Sequence, residues 1–294
     1  MTKKALAIDI GGTKISNCLV DESGKILTEP EKYSTPKTLD EIQTLLKEII
    51  SRYENEINVV AIATCGAVNK ENTKIIGSTG NIAQGYPSTN FQSFSYKPVF
   101  VENDANAAAW AEHVIGASKG FNNSIMLTLG TGVGGGIIIN GRLLKGKSGA
   151  AGEMHFKMNR EKSRKCTCGN YDCFEIYASG NGLRLTAIDV TGNPEITTYD
   201  VIDGIKSGNK KCQEAFDRWQ EDIIDGIVGL ANIFDPDCVV LSGSMAEFTD
   251  TDYITECVNS KIVTQPVKVV KGTAGNYSGM IGAALLAMRN NFNG

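Results

Sequence analysis

Two acidic residues stand where short apolar runs break into polar turns. Asp9 ends the run Ala5 to Ile8 and leads into Gly11-Gly12-Thr13-Lys14, after which Ile15 to Val20 is apolar again. Asp104 follows the run Val99 to Val101 in Glu102-Asn103-Asp104, just before the Ala-rich stretch 105–114. A carboxylate at a helix N-terminus is favoured in its ionised form. An ionised Asp is a weak base, yet strong enough to accept a proton from an attacking hydroxyl late in phosphoryl transfer. The competing reading makes Asn103 or Asp104 a plain helix cap, contributing about 1 kcal/mol. A second glycine-rich run, Gly130-Thr131-Gly132-Val133-Gly134-Gly135-Gly136, also lies between apolar runs, Ile125 to Leu129 and Gly136 to Ile139.

The elements around these residues explain their placement. Both glycine runs join one strand to another and so read as β-hairpins. Glycine suits positions of positive φ or close approach of backbone N–H groups to a ligand, and successive N–H groups make an anion-binding concavity. Two such turns imply one polyanion held from both sides, with Asp9 managing a metal ion. The second run also fits Gly-x-Gly-x-x-Gly, but a dinucleotide fingerprint must open a helix, and Ile137 to Ile139 continue as a strand. Thr38-Leu39-Asp40-Glu41 has the form of a capping box, and Ile42, Leu45, Leu46, Ile49 and Ile50 follow at helical spacing. Val59 to Ala63 and Val239 to Leu241 read as buried strands, Gly77 to Asn90 as loop, and Phe216 to Phe234 and Ser278 to Arg289 as helices. Two similar α/β halves, each opening with a glycine hairpin, indicate a duplicated architecture around a cleft. The boundary is expected at Gly116–Gly120, with domains at 1–117 and 118–277 and the last helix, 278–294, packing back on the first.

At 294 residues, with 41% hydrophobic and 21% charged residues, the chain has ample surface to bury in two domains. Its net charge of −4 and lack of a basic cluster argue against broad nucleic-acid binding. No apolar run approaches a membrane span and the N-terminus does not read as a signal peptide. Eight cysteines in such a chain make no disulfide scaffold, which points to a reducing cytoplasm. Three of them form Cys166-x-Cys168-x₄-Cys173, and three thiolates with one histidine are a common structural zinc set. Of the two histidines, His113 lies in the Ala-rich helix, whereas His155 shares the cysteines' polar excursion. Glu153 and Glu175 flank the cluster and suit hydrogen bonds from sugar hydroxyls, although two solvated surface acids are the simpler reading.

Asp9-Ile-Gly-Gly-Thr-Lys14, Asn103-Asp104-Ala-Asn106-Ala-Ala-Ala, Gly130-Thr-Gly-Val-Gly-Gly-Gly136 and Cys166-Thr-Cys-Gly-Asn-Tyr-Asp-Cys-Phe-Glu175 occur in this order. Together they resemble the ROK family of bacterial sugar kinases and repressors, over nearly the whole chain. The resemblance implies two ribonuclease-H-like α/β domains of the actin–hexokinase superfamily around a central cleft. It implies ATP with Mg²⁺ and phosphorylation of a sugar 6-hydroxyl by a homodimeric enzyme. Asp9, Gly11, Gly12, Thr13 and Lys14 would meet the phosphates from one side and Gly130, Thr131 and Gly132 from the other, with Ser242, Gly243 and Ser244 against adenosine. Asn103 would hold the sugar and Asp104 would be the base, with Gly66, Thr79, Glu153, His155 and Glu175 also on the sugar. Relatives place the zinc-ligand histidine three residues after the counterpart of Glu153, following a glycine. Here Glu153-Met154-His155-Phe156 puts either Phe156 or, if that glycine is missing, His155 in the position. His155 with Cys166, Cys168 and Cys173 is the favoured set.

Trp110 tilts the expected substrate slightly towards N-acetylmannosamine over glucose. A repressor would need a helix-turn-helix before Asp9, where there is no room. A non-catalytic sugar sensor fits poorly with intact Asp9 and Asp104, and a glycosidase would leave both glycine turns without a purpose.

Overall fold

The computed structural model describes residues 2–77, 80 and 82–292, in two compact units. The first comprises 1–120, 136–152 and 273–294; the second comprises 121–135 and 153–272. Residues 136–152, expected in the second domain, therefore cluster with the first.

The first unit is built on a five-stranded sheet. Its strands are β1 (Lys4–Ile10), β2 (Lys14–Asp21), β3 (Glu31–Ser34), β4 (Val59–Thr64) and β5 (Val99–Asn103), in the order β3-β2-β1-β4-β5. The β1/β2 pair is the expected antiparallel hairpin, and β1, β4 and β5 run parallel. Helix α1 (Leu39–Tyr53) covers one face, held at its start by the full Thr38–Glu41 capping box. Helix α2 (Asp104–Ile115) covers the other face, together with the last helix of the chain.

Alternation along the strands sorts the two faces by size. Leu6, Ile8, Ile10, Val60 and Ile62 point to α1, whereas Ala5, Ala7, Ala61 and Ala63 point to α2. Small side chains let the helices come close to the sheet, and burial on both faces makes the strands continuously apolar.

A second sheet has the order β10-β9-β6-β7-β8. Its strands are β6 (Ser124–Leu129), β7 (Val133–Ile139), β8 (Arg142–Leu143), β9 (Cys238–Ser242) and β10 (Lys268–Lys271). Strand β9 lies parallel to both β6 and β10. The division between units falls within β7, at Gly135-Gly136.

Helices α3 (Glu175–Ala178), α4 (Gly180–Thr191), α5 (Thr198–Lys206), α6 (Lys210–Phe234) and α7 (Thr251–Lys261) belong to the second unit, and α8 (Ser278–Phe292) closes the chain. Buried Trp219 of α6 fixes the α3–α4 corner by donating its indole N–H to the carbonyls of Ala178 (3.0 Å) and Ser179 (3.1 Å).

Candidate active site

The parallel register of the first sheet brings the carboxyl ends of β1, β4 and β5 to one edge, where open α/β sheets bind ligands. Ile10 pairs with Thr64 and Thr64 with Asn103, so Asp9, Cys65 and Asp104 arrive together. Asn103 is the α2 N-cap: its Oδ1 accepts from the Asn106 N–H at 3.0 Å, and its Nδ2 donates to the Gly66 carbonyl at 3.2 Å. The cap and the candidate base are thus separate residues. Asp104 accepts from the Ala105 N–H at 2.8 Å through one oxygen, and its side chain reaches solvent.

Electrostatics single out the same group. Burial, and after it the Asp104 charge, push the Asp9 carboxyl up to about 6, against the pull of Lys14. The dense surround also raises Asp104 above the usual carboxylate range, opposed by the Ala105 N–H, and contact with solvent limits that rise. Cys65 lies near both acids; burial first, then their charges, push its thiol up to about 11, which keeps it protonated. Its placement shows only once β4 is set between β1 and β5.

Gly11 to Lys14 form the β1–β2 turn, closed by the Gly11 N–H on the Lys14 carbonyl at 3.0 Å. Thr35 ties this turn to the end of β3, donating its hydroxyl to the Gly11 carbonyl (2.6 Å) and its N–H to the Thr13 carbonyl (3.1 Å). None of the glycines of either hairpin turn has positive φ, so left-handed backbone does not explain them. A Cβ on Gly130 would meet nothing within 4 Å, whereas one on Gly132 would lie 2.6 Å from a Glu175 oxygen. Gly243 does have positive φ, +86°, and its backbone lies against Leu129.

In the second unit a cavity of about 280 Å³ gathers Gly130, Thr131 and Ser244. Its other walls are the α4 start (Gly180, Asn181), α5 (Thr198, Tyr199, Ile202) and Met245, Glu247 and Phe248. Of the expected nucleotide contacts, Ser242 and Gly243 adjoin this wall in sequence without lining it. The α4 and α5 contribution has no local motif, and only the fold reveals it.

Glu175 is placed differently from a free sugar ligand. Its Oε2 accepts from the Val133 N–H (3.2 Å) and its Oε1 from the Thr167 hydroxyl (3.0 Å), joining the glycine turn to the cysteine loop. The Glu153 carboxylate, half-exposed, lies 3.8 Å from His155 Nε2. Thr79 lies outside the described residues.

The donor atoms of His155, Cys166, Cys168 and Cys173 all lie within 4.8 Å of one another. Cys168 and Cys173 sulfurs are 3.6 Å apart, and Cys166 Sγ is 3.9 Å from His155 Nδ1. A tetrahedral ion with Zn–S of about 2.3 Å requires S···S edges of about 3.8 Å, so the four donors fit zinc. Phe156 is instead stacked on Phe174, with centroids 4.9 Å apart, so of the two candidate positions it is His155 that faces the thiols.

A parallel β1-β4-β5 core entered by a hairpin, repeated by a second mixed sheet with its own glycine hairpin, defines an α/β protein of the actin–hexokinase class. The ROK family model matches residues 5–290, and the chain belongs to the ROK family. It is 34% identical to a glucokinase of Streptomyces coelicolor, over 96% of each chain. It is 30% identical to an N-acetylmannosamine kinase of Salmonella heidelberg, over 96% of this chain and 97% of that one. Among solved structures it resembles a ROK family glucokinase from Streptomyces griseus in complex with glucose and AMPPNP. That match has a TM-score of 0.77 and 28% identity, over 98% of this chain and 100% of that one.

Proposed function

We propose that the chain is an ATP-dependent kinase that phosphorylates the 6-hydroxyl of a hexose or N-acetylhexosamine in the cytoplasm. The observation that carries the reading is the Asp9–Asp104 pair on one sheet edge, with Asn103 freeing Asp104 from the capping role. Phosphoryl transfer is mostly positioning and charge neutralisation. Asp104 would accept the hydroxyl proton as the new P–O bond forms, and Asn103 and Gly66 would fix the sugar beside it. Burial and a like charge outweigh the pull of Lys14 on Asp9, an environment that suits a cation; Asp9 would hold the Mg²⁺ of MgATP, which supplies charge neutralisation at the phosphates.

The cavity at Gly130, Thr131 and Ser244 would take the nucleotide, and the structure of the S. griseus relative in complex with AMPPNP supports nucleotide use. His155 and the three cysteines would hold a structural zinc that orders the loop carrying Thr167, the partner of Glu175.

Trp110 gives no support for one sugar over another. It is 4% exposed in the core between β-sheet and α8, with Arg289 over its ring at 4.9 Å. The named relatives support glucose and N-acetylmannosamine alike.

A hexose panel in a coupled ADP assay tests the function, with Asp104→Asn as the control. Loss of general-base help costs on the order of 10²–10⁴ in rate, while nucleotide binding should persist. No sugar-dependent ADP release with any hexose would sink the proposal and favour a sugar-sensing role, whereas wild-type turnover by Asp104→Asn would sink the assignment of Asp104 as the base.

A further inference from the structure

On the first unit a separate cavity of about 330 Å³ brings together Lys70, Arg142, Lys145 and Arg289, in a chain whose net charge is −4. Among the described residues, Glu102 is the one carboxylate in its lining. That carboxylate is 1% exposed and already engaged: Lys145 Nζ lies 2.6 and 2.7 Å from its two oxygens. Among the described residues, Lys70, Arg142 and Arg289 have no carboxylate partner. Arg289 is held in place by its stack on Trp110. Uncompensated like charges around a concavity repel one another, and an anion entering it removes that cost.

We propose that this cavity binds a small phosphate monoester of about hexose-phosphate size. Two guanidinium groups present planar forks that match phosphate oxygens, and Lys70 adds a third positive charge for a dianion. Asn72 supplies a neutral polar group for a hydroxylated body, and the apolar walls Phe100 and Leu286 limit its size.

Occupancy has a route to the candidate base. Glu102 also accepts from the Asn103 N–H (2.9 Å), Asn72 Nδ2 (2.8 Å) and Asn106 Nδ2 (3.4 Å). An anion that draws the Lys145 ammonium towards itself loosens the hold on the strand-to-helix junction bearing Asp104. This coupling rests on the role proposed for Asp104; the binding site does not.

Calorimetric titration with hexose 6-phosphate, and with inorganic phosphate as the minimal probe, tests the site on the full chain. The variants are Arg142→Gln with Arg289→Gln, both at exposed positions, and separately Asp104→Asn, each checked for an unchanged unfolding transition. Loss of one charge-assisted contact weakens binding about tenfold, so the double substitution should weaken inorganic phosphate binding about a hundredfold, while Asp104→Asn should leave it within twofold. No binding by the wild type overturns the proposal. So does inorganic phosphate binding that the double substitution weakens less than tenfold, or binding lost equally in Asp104→Asn, which would place the ligand at the candidate active site instead.

Discussion

With its carboxyl pushed up to about 6 by burial and by Asp104, Asp9 holds its proton more tightly in the folded chain than in the unfolded one. The sign follows from linkage: the acid costs nothing below its unfolded value of 3.8 and costs most once pH passes the folded value near 6. Asp9→Asn should therefore unfold at higher urea concentration than the wild type at pH 7–8. The gap should be on the order of 1–2 kcal/mol after allowance for partial exposure, and should close below about pH 4. Urea unfolding at several pH values, without nucleotide, measures it. A variant less stable than the wild type at pH 8 would mean that Lys14 compensates Asp9 more than fully in the free protein. Such a trade of stability for function is common where a site awaits a charged ligand.

Between elements, the glycine hairpin of the second unit depends on a side chain far away in sequence. A Cβ at position 132 would lie 2.6 Å from a Glu175 oxygen, and that carboxylate is fixed by Val133 and Thr167. Gly132→Val should displace Glu175 and weaken binding of an ATP analogue at least tenfold, by loss of a contact of about 1.4 kcal/mol or more. Sugar binding should change less; equal nucleotide affinity in a folded variant would show the turn to be indifferent to its neighbour. The same loop carries the thiol cluster, and protein purified without chelator should hold about one zinc per chain. Less than half an equivalent with full activity would refute the site, whereas chelation should lower the unfolding temperature.

Much of this was legible in the residues. The Thr38 capping box, the apolar strands and the Asp104 junction are local signals, and each falls within a few residues of its place. Helices α4, α5 and α7 and strands β3 and β10 were not. Helix α4 opens with Gly180-Asn181-Gly182, which reads as a loop, and β3 is a polar edge strand. The Val133–Glu175 tie and the Lys145–Glu102 pair join residues 42 and 43 positions apart. No local pattern announces either.

At the scale of the molecule, the chain passes between its two units four times, so neither is a contiguous segment. The first unit owes one layer to the last helix. Met280, Ile281, Leu285, Leu286 and Met288 of α8 are each no more than 7% exposed and join the cluster on the alanine face of the sheet. A Cβ on Gly282 would overlap the Ala107 carbonyl, so α8 and α2 cross with their backbones in contact. Burying five such side chains contributes on the order of 10 kcal/mol, comparable to the whole stability of a domain. Deleting residues 278–294 should therefore unfold the first unit even though the sheet, the glycine turn and Asp104 are all retained. The segment 1–120 alone should likewise show no cooperative transition. Far-ultraviolet circular dichroism with urea is sufficient to test both. A truncated chain that still unfolds cooperatively with the wild-type midpoint would show that α2 and α1 suffice to cover the sheet. Gly282→Ala separates contact from mere presence of the helix: the added methyl must push α8 off α2, at a typical overpacking cost of about 1–3 kcal/mol. A midpoint unchanged by that single methyl would mean the two helices have room to part.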